Sequence, residues 1–405
     1  MGKYMTAVSF ALYISLSVCL LIVITNIINY KELNYANPFF YFFTWCIFYF
    51  GIPAIFVQEI NFYYDWALDQ DSIVFSNILV VIFLLTSALL YHIFRHVKLK
   101  VNDDKNNEKV SQLIKFIWFF ILFYLIWVFY AKLQSGTLMF STTYTGTTDL
   151  YKLKNLSYML ITISTLYFSE KRSFIVFMPN MLIALFDVLE GSRTTVLIAL
   201  IPMFICYAIY NRKTYLNIIL TAFAILIAVG IFRNTLVSEQ YDVPFYINAM
   251  GEFRETYILL PIMISNDDFV GVGNMLNLAN SLAMPFLQPL RGELSSAFMN
   301  AGSYAASLVG RGYGLGSNFL VESIFYDYMF IPINIFCMII YLYVLRFLII
   351  KSKLVHAIII VSYSVVFIRL IIREGFFNNV TLMLFVMLLY SLPFLILNSY
   401  LKNKP

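Results

Sequence analysis

Residues 73–94 read IVFSNILVVIFLLTSALLYHIF, and residues 95–115 follow as RHVKLKVNDDKNNEKVSQLIK. The first stretch carries no acidic or basic residue apart from one histidine, and it is long enough for a helix that crosses a bilayer. The second stretch contains six lysines and arginines. Because basic residues of short loops collect on the cytoplasmic side of a membrane, we predict that 95–115 is a cytoplasmic basic loop.

The composition of the whole chain also indicates a membrane protein. The 405 residues are 61% hydrophobic and 12% charged, with a mean hydropathy of +0.80. This balance excludes a soluble domain, and the long apolar runs lack the alternation of a membrane β-barrel. We therefore predict an all-α polytopic membrane protein in which 1–405 form a single integral membrane domain. The modest net charge of +5 gives no reason to expect nucleic acid as a partner.

The apolar runs predict about 11 transmembrane helices, within a range of 10–12. Their predicted positions are 5–28, 38–57, 73–94, 116–133, 156–169, 174–189, 194–210, 214–232, 319–345, 357–372 and 378–400. The first run is too long for the core of a signal peptide, so we expect it to be retained. The later basic loops agree with the cytoplasmic assignment of 95–115 and place the C-terminus inside and the N-terminus outside. A re-entrant segment or a split second helix would instead place the N-terminus inside.

A large segment, 233–318, falls between the eighth and ninth predicted helices, and this topology makes it periplasmic. It contains the amphipathic stretches Tyr257–Ile264 and Met275–Leu287, which prolines interrupt or follow. We expect a partly helical segment whose short helices lie on the outer interface or dip into it.

Arginine is unusually frequent on the predicted outer side, whereas the predicted cytoplasmic side is mostly lysine. The arginines at or near the outer helix ends are Arg193, Arg233, Arg254, Arg291, Arg311, Arg369 and Arg373. A guanidinium group offers a planar fork of donors that suits phosphate, and its charge is costly near hydrocarbon unless it is paired or solvated. The pattern predicts a site that binds phosphate or pyrophosphate. The alternative is a set of arginines whose side chains reach lipid phosphates.

Two short motifs could bring backbone amides to such a ligand. The first motif, Glu190-Gly-Ser-Arg193, is predicted to form a tight turn between two helices. The alternative to a ligand-binding role is a capping turn with a salt bridge between Glu190 and Arg193. In the second motif, Gly312, Gly314 and Gly316 follow Arg311 and permit close approach of the backbone. The second motif is not a nucleotide P-loop, because it lacks Gly-Lys-Ser/Thr.

Three carboxylates are candidate general bases: Glu322, Glu252 and Glu190. Glu322 lies about one turn inside a predicted helix, where a carboxylate is either paired with an arginine or used as a base. The alternative for Glu252 and its neighbours is a solvated charged face. Arg369 and Arg373 are four residues apart on one helix face. Their repulsion would be relieved by an anionic ligand or by Glu374 as an internal partner.

Histidine and cysteine give no sign of a metal or redox site. The four cysteines lie inside apolar runs without metal-ligand spacing, and the three histidines fall near the predicted cytoplasmic face. We expect no metal, no cofactor and no disulfide.

An ordered set of these residues resembles the O-antigen and oligosaccharide repeat-unit polymerases of the Wzy type. The set runs from the Gly191-Ser192-Arg193 turn through Arg233 and the Glu252/Arg254 cluster to Gly312–Gly316, Glu322 and Arg373, and it spans roughly residues 180–380. The chain departs from the family pattern at Tyr326-Asp327-Tyr328, which replaces a more glycine-rich continuation.

The resemblance implies a glycosyltransferase of the bacterial inner membrane with its active site on the periplasmic side. Its substrates would be undecaprenyl-pyrophosphate-linked glycans within membrane lipid, and a chain-length regulator protein would be a further partner. The residues expected to contact pyrophosphate are first Arg193, Arg233 and Arg373, and then Arg254, Arg291 and Arg311. The alternatives are a flippase for lipid-linked repeat units, which would show two related halves, and an O-antigen ligase, which would show a periplasmic histidine.

Overall fold

The computed structural model describes ten ranges of the chain: 2–28, 37–64, 68–94, 112–135, 156–189, 199–203, 243–287, 300–309, 317–352 and 354–402. Within these ranges every regular element is a helix. Seven helices there are long and apolar enough to cross a membrane: Thr6–Asn26, Pro38–Ile55, Gln70–Ile93, Gln112–Gln134, Phe330–Lys351, His356–Glu374 and Phe377–Leu401. The chain is therefore an all-helical, multi-pass membrane protein.

Each of these seven helices overlaps one of the eleven predicted helices. Two further predicted helices are present as shorter apolar helices, Leu156–Phe168 and Phe174–Phe186. The predicted helix 194–210 is described only over 199–203, and the predicted helix 214–232 lies outside the described residues. Most of the predicted cytoplasmic loop 95–115 also lies outside them. The total of 11 thus stays a prediction.

We number the α-helices in chain order. Their bounds are α1 Gly2–Ile28, α2 Pro38–Cys46, α3 Ile52–Ile55, α4 Val57–Tyr64, α5 Gln70–Phe94, α6 Gln112–Gln134, α7 Leu156–Lys171, α8 Met178–Leu189, α9 Phe245–Met250, α10 Glu252–Ile264, α11 Met275–Leu287, α12 Ala301–Val309, α13 Phe319–Tyr326, α14 Phe330–Lys351, α15 Leu354–Glu374, α16 Phe377–Val386 and α17 Leu392–Lys402. A 3₁₀ turn, Phe174–Phe177, precedes α8. The π-helical turns Ile47–Gly51 and Met387–Ser391 join α2 to α3 and α16 to α17.

The chain divides into two compact units. Unit 1 comprises Met1–Leu99, Asp242–Arg346 and Phe367–Phe385. Its core is aromatic, with Phe42 packed edge-on against Phe83 at a centroid distance of 6.0 Å. Both rings are fully buried, so their packing holds α2 against α5 through apolar area alone.

Unit 2 comprises Lys100–Tyr241, Phe347–Val366 and Val386–Pro405. Its core combines apolar packing with polar contacts between helices. The Trp118 indole N–H donates a hydrogen bond of 2.8 Å to the Val176 carbonyl oxygen. The Thr162 hydroxyl lies 2.7 Å from that of Ser391. Because hydrocarbon offers no partner for such groups, the helices that carry them must satisfy them internally.

The predicted helix 319–345 is interrupted, which corrects the expectation of one continuous span. α13 ends at Tyr326, and Asp327 adopts an extended backbone. The Asp327 carboxylate accepts the Met329 N–H at 2.8 Å, and Pro332 lies in the first turn of α14, where its missing N–H has no intrahelical partner to lose. Asp327 and Pro332 therefore explain the break, which the hydropathy pattern does not reveal.

Two helices of the large segment 233–318 differ in their surroundings. Both stretches predicted to be amphipathic are helical, as α10 and α11. α11 exposes Met275 and Phe286, and its interfacial position stays a prediction. α10 does not fit that expectation, because Tyr257–Leu260 are buried on consecutive positions and therefore on every side of the helix.

Candidate functional site

A cluster of charged side chains lies where the end of α15 meets the start of α10. Arg369 and Arg373 project from the last two turns of α15, one helical turn apart. Arg369 is 3% exposed, whereas the side chain of Arg373 is 24% exposed. A buried guanidinium group needs a fixed anionic partner, and this partner comes from α10.

Glu252 is that partner. The Arg369 Nη2 atom lies 2.7 Å from Glu252 Oε1 and 3.0 Å from Oε2. The Arg373 Nε atom lies 2.8 Å from the same Oε1. A single carboxylate therefore bridges two guanidinium groups, and its position in the first turn of α10 adds the favourable interaction of an anion with a helix N-terminus.

Tyr49 completes the surroundings of this carboxylate. Its hydroxyl donates a hydrogen bond of 2.8 Å to Glu252 Oε1, and its ring faces the Arg369 guanidinium at 5.9 Å. Tyr49 is fully buried and lies in the π-helical turn Ile47–Gly51. Turns of this kind are frequent at functional sites because they redirect one side chain out of the regular helical order.

We call Tyr49, Glu252, Arg369 and Arg373 the arginine–glutamate cluster. Glu374 is a neighbouring acidic residue, and its Oε1 lies 3.1 Å from Arg373 Nη1. The repulsion between the two arginines is thus relieved by internal carboxylates, with Glu252 as the shared one. Of the two alternatives left open by the sequence, an external anion or an internal partner, the structure contains the internal partner.

Arg254 lies two residues after Glu252 in the sequence, but its guanidinium group contacts residues outside the cluster. It is 6% exposed, and its Nη1 donates to the Ile247 carbonyl oxygen at 3.4 Å. Its Nη2 lies 3.6 Å from Glu255, which is half exposed. The alternative of a solvated charged face therefore does not hold for Arg254, and its role as a pyrophosphate contact stays a prediction.

Glu322 is buried in α13 and is held by amides. Its carboxylate accepts hydrogen bonds from the backbone N–H groups of Phe376 and Phe377 and from the side chain of Asn334. Among the described residues it forms no salt bridge. Burial raises the pKa of Glu322 to about 7, while the hydrogen bonds act in the opposite direction. The arginine pair, one of the two alternatives from the sequence, is not formed among the described residues, and the role of Glu322 as a base stays a prediction.

The remaining predicted site residues lie outside the described residues. These are Glu190, Arg193, Arg233, Arg291, Arg311, Gly312, Gly314 and Gly316. Among the residues that the structure describes, no group of three or more His, Cys, Asp or Glu side chains is placed to hold a metal ion.

Sequence reasoning placed Arg369 and Arg373 together on one helix face but did not bring Glu252 to them. It missed Tyr49, because one tyrosine inside an apolar run carries no local signal. The only hint lay in the four-residue spacing of the two arginines, which required some anion on that face.

The fold and this cluster define the class of protein: a multi-pass helical membrane protein with a buried arginine–carboxylate centre. Comparison of the chain with protein-family models, with curated proteins and with solved structures finds no match. The function therefore has to be argued from the residues and their geometry.

Proposed function

We propose that the chain polymerises undecaprenyl-pyrophosphate-linked oligosaccharide repeat units into O-antigen or a related surface polysaccharide. The reaction takes place on the periplasmic face of the bacterial inner membrane. The donor is a growing glycan on a pyrophosphate lipid, and the acceptor is a new lipid-linked repeat unit. An acceptor hydroxyl attacks the anomeric carbon of the donor, the bond to the pyrophosphate breaks, and the lipid pyrophosphate leaves.

The observation that supports this proposal most strongly is the shared carboxylate between Arg369 and Arg373. Two guanidinium groups held one turn apart form a preorganised anion site, in which Glu252 is the bound carboxylate. The oxygens of a diphosphate offer the same hydrogen-bond acceptors as a carboxylate, in greater number and with more charge. A lipid pyrophosphate can therefore compete with Glu252 for the arginine that is accessible.

Burial separates the roles of the two arginines. Arg369 is almost completely enclosed, so it holds Glu252 in place. Arg373 is partly exposed and shares its guanidinium between Glu252 and Glu374, so it is the one that can turn to the leaving group. Negative charge gathers on the pyrophosphate in the transition state, and a guanidinium fixed beforehand stabilises it there. Arg193 and Arg233 are the further predicted contacts.

The same exchange supplies a base. Glu252 Oε1 accepts hydrogen bonds from Tyr49 and Arg369 and forms an ion pair with Arg373. When the pyrophosphate takes over Arg373, that oxygen loses one cation and becomes available for the proton of the acceptor hydroxyl. Glu190 and Glu322 are the other candidate bases.

The first experiment is the lipopolysaccharide ladder of a deletion strain. Loss of a polymerase leaves lipid A core that carries one repeat unit, whereas loss of a flippase or a ligase leaves bare core. A deletion strain that shows bare core would refute the polymerase assignment and favour one of those alternatives.

The second experiment complements the deletion strain with single variants. We expect Arg373→Ala to reduce polymer by about 10²-fold, the usual effect of removing one donor to a developing anion. Arg193→Ala should abolish polymer while the protein remains in the membrane. Lys351→Ala is the control, since Lys351 is an exposed basic residue at the C-terminal end of α14 and is not part of the cluster. Long chains in a well-expressed Arg373→Ala strain would remove that residue from the site.

A further inference from the structure

The chain makes an unusual connection directly after Arg373. α15 ends at Glu374 and α16 begins at Phe377, so two residues join them. Gly375 has φ +112°, a left-handed value that favours glycine. A Cβ atom at this position would lie 2.6 Å from the Glu322 carboxyl carbon. The connection therefore passes against Glu322 at a distance that no side chain at 375 would allow.

Glu322 uses this close approach to cap a helix other than its own. The N–H groups of Phe376 and Phe377, which have no intrahelical acceptor at the start of α16, donate to its carboxylate. A negative charge at a helix N-terminus is also favoured by the helix dipole. Glu322 thus fixes the point at which α16 begins.

The residues just before α13 hold the two helices of the arginine–glutamate cluster. The Ser317 hydroxyl donates to the Glu374 carbonyl oxygen at 2.9 Å, at the end of α15. The Asn318 side-chain amide donates to the Thr256 carbonyl oxygen at 2.8 Å, in α10. We call Ser317, Asn318, Glu322 and Gly375 the α13 clamp.

The α13 clamp holds both helices close to their charged groups. Thr256 is one helical turn after Glu252 in α10, and Glu374 follows Arg373 in α15. Each helix that contributes a charged side chain is therefore held within about one turn of it. Since Arg373 is the less buried of the two arginines, its position depends most on where α15 ends.

We propose that Glu322 is a positioning residue, which caps α16 and thereby keeps Arg373 within reach of Glu252. Its effect on polymer formation rests on the proposed function, while its effect on the position of Arg373 does not. Three variants separate the possibilities. Glu322→Ala removes the cap, Glu322→Gln keeps one acceptor oxygen and removes the capacity to act as a base, and Gly375→Ala obstructs the close approach.

Two measurements on the purified full-length protein require no substrate. In hydrogen–deuterium exchange, we expect the amides of Phe376 and Phe377 to exchange at least about tenfold faster in Glu322→Ala, because hydrogen bonds to a charged group are lost. In labelling with phenylglyoxal, which modifies accessible guanidinium groups, we expect Arg373 to react faster in Glu322→Ala and Gly375→Ala. Glu59→Ala is the matched control: Glu59 accepts a hydrogen bond from Tyr246 and has no part in the α13 clamp.

Polymer formation in the complemented strain is the third measurement. We expect Glu322→Gln to retain more polymer and slower Arg373 labelling than Glu322→Ala. Unchanged exchange at 376–377 or unchanged Arg373 labelling in Glu322→Ala would overturn the positioning role. If Glu322→Gln matches the wild type in both physical measurements yet makes no polymer, Glu322 acts as a base and the proposal is wrong. If the wild-type chain makes no polymer at all, the proposed function fails, and the two physical measurements still decide the role of Glu322.

Discussion

Helices α15 and α1 are both long and apolar enough to cross a membrane, but protein surrounds one and not the other. In α15, 89% of the most apolar window is buried, compared with 22% in α1. α1 is the more apolar of the two, and its Ser15 and Ser17 hydroxyls bond to carbonyl oxygens of α1 itself. In α15, Tyr363 and Arg369 reach partners on other helices.

The contrast has a simple physical reason. A polar side chain that faces hydrocarbon has no partner, so a helix that carries several such groups is stable only inside the protein. The lower hydropathy of α15 relative to α1 agrees with its greater burial. The following substitutions test this contrast, in order of decreasing expected effect.

Removal of the buried guanidinium should cause the largest loss. Arg369→Ala leaves the Glu252 carboxylate without its closest cation, and breaking a buried ion pair in this way costs about 3–5 kcal/mol. We expect a clear fall in the melting temperature of the detergent-purified protein, and loss of polymer. Arg369→Lys, which keeps the charge, should lose less. An Arg369→Ala protein that melts like the wild type would show that the cluster does not hold α10 to α15.

A matched pair of phenylalanines compares the two helices directly. Phe367 in α15 is fully buried, and Phe10 in α1 is 68% exposed. Phe367→Ala should destabilise the protein by about 3–5 kcal/mol because it leaves a cavity. Phe10→Ala should stay within about 0.5 kcal/mol of the wild type. Thermal unfolding of both variants measures the difference, and equal effects would contradict the assignment of α15 to the interior.

Loss of the Tyr49 hydroxyl should have an intermediate effect. Tyr49→Phe removes one hydrogen bond to the Glu252 carboxylate, and bonds to charged groups contribute about 1.5–3 kcal/mol. Tyr13→Phe on the exposed side of α1 is the control and should be neutral. Thermal unfolding measures both; a neutral Tyr49→Phe would mean that the two arginines alone fix Glu252.

The smallest effect is expected in the hydroxyl network of unit 2. Tyr363 donates to the Tyr158 carbonyl oxygen at 2.8 Å and lies 2.6 Å from the Ser391 hydroxyl. Ser391 keeps Thr162 as a partner in Tyr363→Phe, and hydrogen bonds between membrane helices contribute about 0.6 kcal/mol on average. We expect a loss of that order in the same unfolding assay. A loss as large as that of Arg369→Ala would rank this network with the ion pairs.

The sequence alone determined the fold class and the positions of most described helices. Both depend on local composition, since a run of about 20 apolar residues without charge has few alternatives to a membrane helix. The prediction of a single helix over 319–345 was wrong. The apolar residues around Asp327 and Pro332 keep the mean hydropathy of this stretch high, although Asp327 ends one helix and Pro332 lies at the start of the next.

The tertiary structure alone decided which charged groups meet. Glu252 binds an arginine 117 residues later in the chain, and Tyr49 reaches Glu252 across 203 residues. The sequence alone suggested that Glu322 either pairs with an arginine or acts as a base. In the structure, its carboxylate accepts a hydrogen bond from a backbone amide 54 residues later in the chain. Hydropathy and spacing describe a residue and its near neighbours, whereas these partners depend on how α10, α13 and α15 pack together. That packing reflects the combined shape of many side chains, which no single stretch of the sequence encodes.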